Sequence, residues 1–245
     1  MDRKLNKAFF TGYVNTYDFK NDLIFRKYTH SFRTAAICEE IAKRLYMKPD
    51  ETDSIWLLGL LHDIARFEQV KRFNSFEDTE EFEHGEQGAK ILFQDKLIRQ
   101  FDVDEVYYNR IEKAIFYHNK LKIEECSSDS ERLYCSIVRD ADKIDIFYQV
   151  DKNFEFYNLK DDISDEVLQC VFNHELVPFS LVKTKADKFL LICALAYDIT
   201  VPCSFDIIRE KGNYKNLVSY GFSVKNEKFK KAKEEIEKSF HGKIL

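Results

Sequence analysis

Residues 55–63 read Ile-Trp-Leu-Leu-Gly-Leu-Leu-His-Asp, an apolar run that ends on an adjacent imidazole and carboxylate. The run predicts a helix over residues 55–67, with Asp53 and Ser54 as its caps. A His-Asp pair alone is weak, because it occurs by chance in many proteins. Its surroundings strengthen it: His30 falls on the preceding predicted helix, His84 on the next, His118 on the fourth and Asp142 on the fifth. Seven residues make almost two helical turns, about 20° from a common face. At that spacing His30 pairs with Ile37, His62 with Ile55, His84 with Ile91, His118 with Ile111 and Asp142 with Cys135. Each candidate therefore shares the apolar stripe of its helix. His174 passes the same test through Val167, whereas His241 fails it through Glu234, so phase alone does not prove ligation. For a single inward histidine, a satisfied core residue is the commoner meaning. Four inward histidines and two aspartates on five successive helices are better explained by a shared metal centre, since an inward carboxylate needs a partner.

Outward from that stretch, the chain is poor in turn formers. Its 245 residues hold seven Gly and three Pro, about 4% against roughly 12% on average. A turn-rich β-sandwich or barrel is disfavoured, and neither common Gly-rich phosphate loop is present. A 44% hydrophobic and 33% charged composition reads as soluble and globular, and a net charge of −5 argues against a general nucleic-acid binder. No apolar run approaches the roughly 20 residues of a membrane span, and the first residues lack the features of a signal peptide. The six Cys form no C-x-x-C pair and read as reduced thiols of a cytoplasmic protein.

The period of 3.6 residues recurs throughout and predicts an all-α fold. Helices are expected over residues 23–47, 55–67, 82–95, 103–119 and 131–150, with loops at 71–81 and 127–130. Residues 153–162 read as irregular, followed by helices near 165–172, 186–199, 205–211 and 225–239. The last is rich in Lys and Glu and reads as a solvated face. The expectation is one domain over 1–245: a helical core at 20–150, with 151–245 as a helical extension packed on it.

The order His30, His62-Asp63, Asp142 resembles the HD-domain superfamily of metal-dependent phosphohydrolases. So do the strings YTHSFRTAAICEEIA, LLGLLHDIARFEQ, FEHGEQGAKIL, IFYHNK and IVRDADKIDIF. HDIARFEQ is similar to the HDIGRFEQ of a mostly uncharacterised bacterial subgroup, with Ala65 in place of that Gly. The resemblance covers about residues 20–150 and implies that His30, His62, Asp63 and Asp142 hold one metal ion. His84 and His118 match the extra pair that holds a second ion, with Asp63 bridging. Imidazole-rich ligation favours two divalent ions among Fe, Mn, Co, Ni and Zn. Asp140 and Asp145 rival Asp142, which fits the Ala-Asp-Lys string best.

The implied reaction is hydrolysis of a phosphate mono- or diester, with a nucleotide the expected small-molecule substrate, by metal-activated water that Asp63 orients. Arg66 shares the side of Asp63 and either meets phosphate or pairs with Asp63. Lys143 follows Asp142 and either meets phosphate or faces solvent, while Arg33 is a weaker candidate of the same kind. Glu68 and Gln69 belong to the string without a physical role. His174 either reaches the site or is structural. The Gly-Tyr-Pro motif of cyclic-dinucleotide phosphodiesterases is absent, as is the Pro-Phe-Gly-His string of deoxynucleotide triphosphohydrolases, and Phe67-Glu68 stands where guanosine-tetraphosphate hydrolases carry Glu-Asp. A dinucleoside-polyphosphate hydrolase stays open. The alternatives are a mixed-valent diiron oxygenase on the same scaffold and a non-catalytic nucleotide-binding regulatory module. Oligomeric state is not legible in the sequence.

Overall fold

The computed structural model describes residues 1–153, 162–221 and 227–245. Among these residues the fold is all-α, and the β pairing is confined to an isolated bridge between Thr79 and Phe82. The segment expected to be irregular, 153–162, lies mostly outside the described residues. The chain divides into two compact units, Met1–Asp142 and Lys143–Leu245, with the boundary inside a helix and not beyond it.

The first unit contains α1 (Arg3–Val14), α2 (Asp22–Arg44), α3 (Pro49–Leu61), α4 (Arg66–Phe73), α5 (His84–Ala89), α6 (Tyr108–Tyr117) and the first part of α7 (Asp129–Asn153). α3 is the hub. Every residue from Ser54 to Leu61 is buried, so beyond its first turn this helix has no solvent face. Each fully buried Leu or Ile contributes about 1.5–3 kcal/mol relative to exposure, as an upper estimate. α1, which the sequence reading lacks, covers one side of α3. Its Asn6, Phe10 and Val14 recur every four residues and are buried, and Arg3 pairs with Asp53 at 2.6 Å and lies over the Trp56 ring at 5.0 Å. Phe10 also gathers Tyr28, Phe32 and Phe67 at centroid distances of 6.0, 5.7 and 5.9 Å.

Helix ends differ from the sequence expectation for identifiable reasons. α3 starts at Pro49, six residues early, because proline suits a first turn where its missing N–H is not needed. The expected helix at 82–95 is α5 followed by a π turn, Lys90–Gln94. The expected helix at 103–119 is a 3-10 turn, Glu105–Tyr107, capped by Asp104, and then α6. α4 runs into the expected loop and ends where Asn74 takes a left-handed φ of 47°.

Gly59 sets the distance between α2 and α3. A Cβ there would lie 2.8 Å from Ala35 Cα and 2.8 Å from Cys38 Sγ. One of those obstacles is backbone, so the helices would have to separate. Gly59→Ala is expected to destabilise the protein by about 1–3 kcal/mol, read as a lower denaturation midpoint. An unchanged midpoint would show that the two helices can yield.

The second unit contains the rest of α7 with α8 (Asp165–Phe172), α9 (Lys185–Ala194), α10 (Pro202–Lys211), α11 (Asn213–Gly221) and α12 (Glu227–Phe240). Thr184 and Asp187 form a capping box at the start of α9. α12 is not solvated all round: Phe229, Ala232, Ile236 and Phe240 form a buried stripe at intervals of three and four. α11 is a further helix the sequence reading lacks. No helix among the described residues is long and apolar enough to cross a membrane.

Candidate metal centre

Two helices of the first unit stop one residue short of a histidine. In a continuing helix the Gly59 carbonyl would accept the N–H of Asp63. Instead His62 Nδ1 donates to the Gly59 carbonyl at 2.8 Å. The side chain replaces the backbone donor, α3 ends at Leu61, and residues 62–65 form a turn before α4. The single helix expected over 55–67 is therefore two helices. Ala65 sits at φ −74°, ψ −18°, a conformation open to any residue, so the site needs no glycine there. His118 repeats the device at the end of α6, with Nδ1 donating to the Ile115 carbonyl at 2.6 Å. Donation from Nδ1 leaves Nε2 as the nitrogen that can face an ion in both rings.

His84 is the first residue of α5, which Glu83 caps by accepting from the Gly85 and Glu86 N–H groups. Its Nδ1 donates to Asp78 Oδ2 at 2.6 Å, which again leaves Nε2 bare. His30 lies within α2, with Nδ1 3.4 Å from Thr34 Oγ1.

The four Nε2 atoms converge on Asp63. Its Oδ2 lies 3.4 Å from His30 Nε2 and 3.3 Å from His62 Nε2. Its Oδ1 lies 3.5 Å from His84 Nε2 and 3.5 Å from His118 Nε2. Asp142 Oδ1 joins the first half, 3.0 Å from His30 Nε2 and 3.7 Å from His62 Nε2. Within each half the nitrogens lie close together, at 3.2 Å for His30 and His62 and 3.0 Å for His84 and His118. Ligands about 2.0–2.2 Å from one ion, at tetrahedral or octahedral angles, are about 3.0–3.5 Å from each other. His84 and His118 have both committed their ring N–H groups elsewhere. Their two Nε2 lone pairs therefore face each other without a proton to share, and a cation resolves that repulsion. Two sets of three, His30–His62–Asp63 and Asp63–His84–His118, could each hold an ion, and all five residues are buried.

The electrostatics keep both carboxylates ionised and divide the imidazoles. Burial alone would raise Asp63, but the Lys27 ammonium and the His62 ring hold it well below the usual carboxylate range. Burial would likewise raise Asp142, which hydrogen bonds from His30 and His62 hold low. Burial opposes charge on His62, yet Asp63 and Asp142 push it up to about 10, so an ion entering there has to displace the proton on Nε2. Burial and the Arg66 charge bring His84 down to about 3, so that ring is neutral, as a ligand must be.

Of the remaining sequence candidates, Arg66 lies beside Asp63 and the others have partners of their own. Arg66 Nη1 donates to Gln69 Oε1 and the Phe76 carbonyl, both at 2.6 Å, and lies 3.2 Å from Asp78 Oδ1. Its Nε is buried without a hydrogen bond, 3.6 Å from Asp63 Oδ1. Lys143 is buried and pairs with Asp198 at 2.8 Å. Arg33 is half-buried, three residues past His30 on α2, and has interactions of its own. Of the α7 aspartates, Asp142 is the one with described contacts to the histidines, whereas Asp145 accepts from Gln149 at 2.9 Å. His174 is exposed, at φ 57°, and bonds Glu235 at 2.7 Å. Burial pushes the Cys38 and Cys193 thiols up and Cys135 up to about 12, as unreactive thiols require.

Sequence reasoning misses Lys27 and Asp78. Lys27 Nζ sits 2.5 Å from Asp63 Oδ2, and its only signal is a position one turn before His30. Asp78 lies on a loop, where periodicity gives no signal. Gln69 now has a role: fully buried, it donates to the Glu77 carbonyl at 2.9 Å and to Asp78 Oδ1 at 3.0 Å, stapling that loop to α4. Glu68 pairs with Arg72 at 2.7 Å. A cleft of about 440 Å³ between α5 and α6, lined by Glu86, Lys90, Glu112 and Phe116 among others, includes none of the six candidate ligands.

Comparison with curated proteins and with solved structures finds no match. The family model for the HD domain matches residues 28–146, a span that contains all six candidate ligands. The superfamily consists mostly of metal-dependent hydrolases, and the clustered His and Asp donors suit that chemistry. Through residues 28–146 the chain belongs to the HD-domain superfamily.

Proposed function

We propose that this HD domain hydrolyses a phosphate mono- or diester at a centre for two divalent transition-metal ions. His30, His62 and Asp142 would hold one ion, His84 and His118 the other, and Asp63 would bridge them. The observation that carries the reading is the division of Asp63, with Oδ2 facing His30 and His62 and Oδ1 facing His84 and His118. Imidazole-rich donors favour Fe, Mn, Co, Ni or Zn over Mg or Ca. Bound ions would supply Lewis acidity toward a phosphoryl oxygen and a water whose pKa falls toward about 7.

The chain's own residues prepare that chemistry. Asp63 stays ionised beside Lys27, so it is a ligand and an acceptor at neutral pH. The carbonyls of Gly59 and Ile115 and the carboxylate of Asp78 fix the tautomers of His62, His118 and His84. Arg66 adds positive potential beside Asp63. Arg33, Arg66 and Lys143 remain the phosphate cations that the sequence nominates; the family supports a phosphate ester, and a nucleotide is our choice within that class.

Elemental analysis of the purified protein, then phosphate release from a panel of nucleotides and phosphodiesters with Mn or Co, tests the reading. About two equivalents per chain with turnover is the expected result. Absence of transition metal overturns it. So does iron with a mixed-valent paramagnetic signal, oxygen consumption and no phosphate release.

Asp78→Asn gives a narrower test. The change keeps the size but removes the charge that holds His84 Nδ1. The affinity for one of two ions is expected to fall about 10–100-fold, with the other ion retained. Metal titration against a chelator reads this directly, and wild-type affinity at both sites would remove Asp78 from the account.

A further inference from the structure

The cation in closest contact with the centre is one the sequence does not nominate. Lys27 projects from α2 one turn before His30, with its side chain 16% exposed. Its Nζ lies 2.5 Å from Asp63 Oδ2 and 5.2 Å from the centre of the Phe76 ring. The nominated cations are engaged differently. Lys143 is bound to Asp198. Arg66 spends Nη1 on Gln69 Oε1, the Phe76 carbonyl and Asp78 Oδ1. The described polar partner of Lys27 is instead Asp63 Oδ2, the oxygen that the proposed function gives to the ion held by His30, His62 and Asp142.

One oxygen thus serves two claims. An oxygen that donates its electron density to a divalent ion is a weaker acceptor for an ammonium. Loading the centre therefore loosens the Lys27–Asp63 pair without carrying the lysine away, because its backbone is fixed in α2 and its ammonium lies over the Phe76 ring. A mostly buried ammonium then needs another anion. The group that meets that need is the non-bridging oxygen of a phosphate brought to the same centre. The ammonium suits it as a compact charge with three donors on a flexible stem.

We infer that Lys27 binds the phosphate of the substrate once metal has taken Asp63, and that it neutralises Asp63 before then. The inference rests on the dinuclear reading. It differs from that reading in assigning the anion contact to Lys27 and not to Arg33, Arg66 or Lys143.

The test compares wild type, Lys27→Met and Lys27→Arg by two measurements on the full chain. Metal content and Mn affinity are read first, without phosphate. Binding of inorganic phosphate to the Mn-loaded protein is then read by calorimetry. Lys27→Met is expected to keep its full metal content, with affinity equal to or above wild type because a competitor for Asp63 is gone. It should bind phosphate about tenfold or more weakly, the loss of one charge-assisted hydrogen bond. Lys27→Arg should recover most of that binding.

Wild-type phosphate affinity in metal-replete Lys27→Met overturns the inference and leaves the dinuclear reading standing. Loss of metal from Lys27→Met also overturns it, because Lys27 would then support the site. If wild type takes up no transition metal, the dinuclear reading fails and the inference falls with it. If Lys27→Met does not fold, Lys27→Gln takes its place under the same criteria.

Discussion

Asp63→Ala is expected to empty the centre of both ions and to reduce phosphate-ester hydrolysis to the uncatalysed background. The reason is geometric. Every other candidate ligand serves one half of the cluster, whereas Asp63 presents Oδ2 to His30 and His62 and Oδ1 to His84 and His118. Without it, one half keeps three donors and the other keeps two imidazoles that face each other at 3.0 Å. An outer partner of a metal ligand is worth about 10–100-fold in affinity or activity, and a shared inner ligand should exceed that at both ions. A folding control is needed, because the truncation also strips Lys27 of its carboxylate. Breaking a buried pair by removing one partner costs about 3–5 kcal/mol, and less where water reaches the survivor, as it does for Lys27. Asp63→Asn keeps the volume and a hydrogen-bond acceptor while removing the charge. It should therefore lose metal and activity with a smaller loss of stability. Elemental analysis and a thermal melt of both variants decide the matter. Full metal content in either one refutes the bridging role.

How the sequence reveals the site is instructive, because the helical phase argument reaches convergent residues through geometry that is partly different. His30 lies inside a regular helix, as the phase requires. His62 and His118 lie just past the ends of α3 and α6, aimed by their own Nδ1 bonds to the chain behind them. His84 opens a short helix that passes into a π turn, and its phase partner Ile91 lies in that turn, half-buried. His174 passes the phase test and is exposed, because α8 ends at Phe172 and the chain turns left-handed at His174. What the sequence carries reliably is the order of the donors and their attachment to apolar helices. Those features also give the all-α class, since uninterrupted helices need few glycines and prolines. The supporting residues are not legible in the same way. Asp78 reaches His84 only because Gln69 and Arg66 pin its loop to α4. Lys27 meets Asp63 only because α2 and α3 approach closely at Gly59. Both depend on distances between elements, on which a periodicity is silent.

The two halves of the cluster should also separate experimentally. His84→Ala and His118→Ala are each expected to reduce metal content from about two equivalents to about one, while His30, His62, Asp63 and Asp142 keep the remaining ion. The basis is that His84 and His118 have described ligand-type contacts with Asp63 Oδ1 and with each other, but not with Asp142. The two substitutions should differ in stability. His118 also ties its ring to the Ile115 carbonyl at the end of α6, so its removal costs about 0.5–1.5 kcal/mol that the loss of metal does not explain. His84 is tied to Asp78, and removing it leaves that carboxylate to Arg66, Gln69 and Asn119. Asp78 is held low partly by His84, against the effect of burial, so His84→Ala should raise its pKa and loosen the loop it anchors. Dialysed protein analysed for metal, with a thermal melt beside it, reads both effects. One ion in the wild type would leave the four-ligand site of His30, His62, Asp63 and Asp142 as the whole centre. His84 and His118 would then hold no ion, and neither substitution would change the metal content.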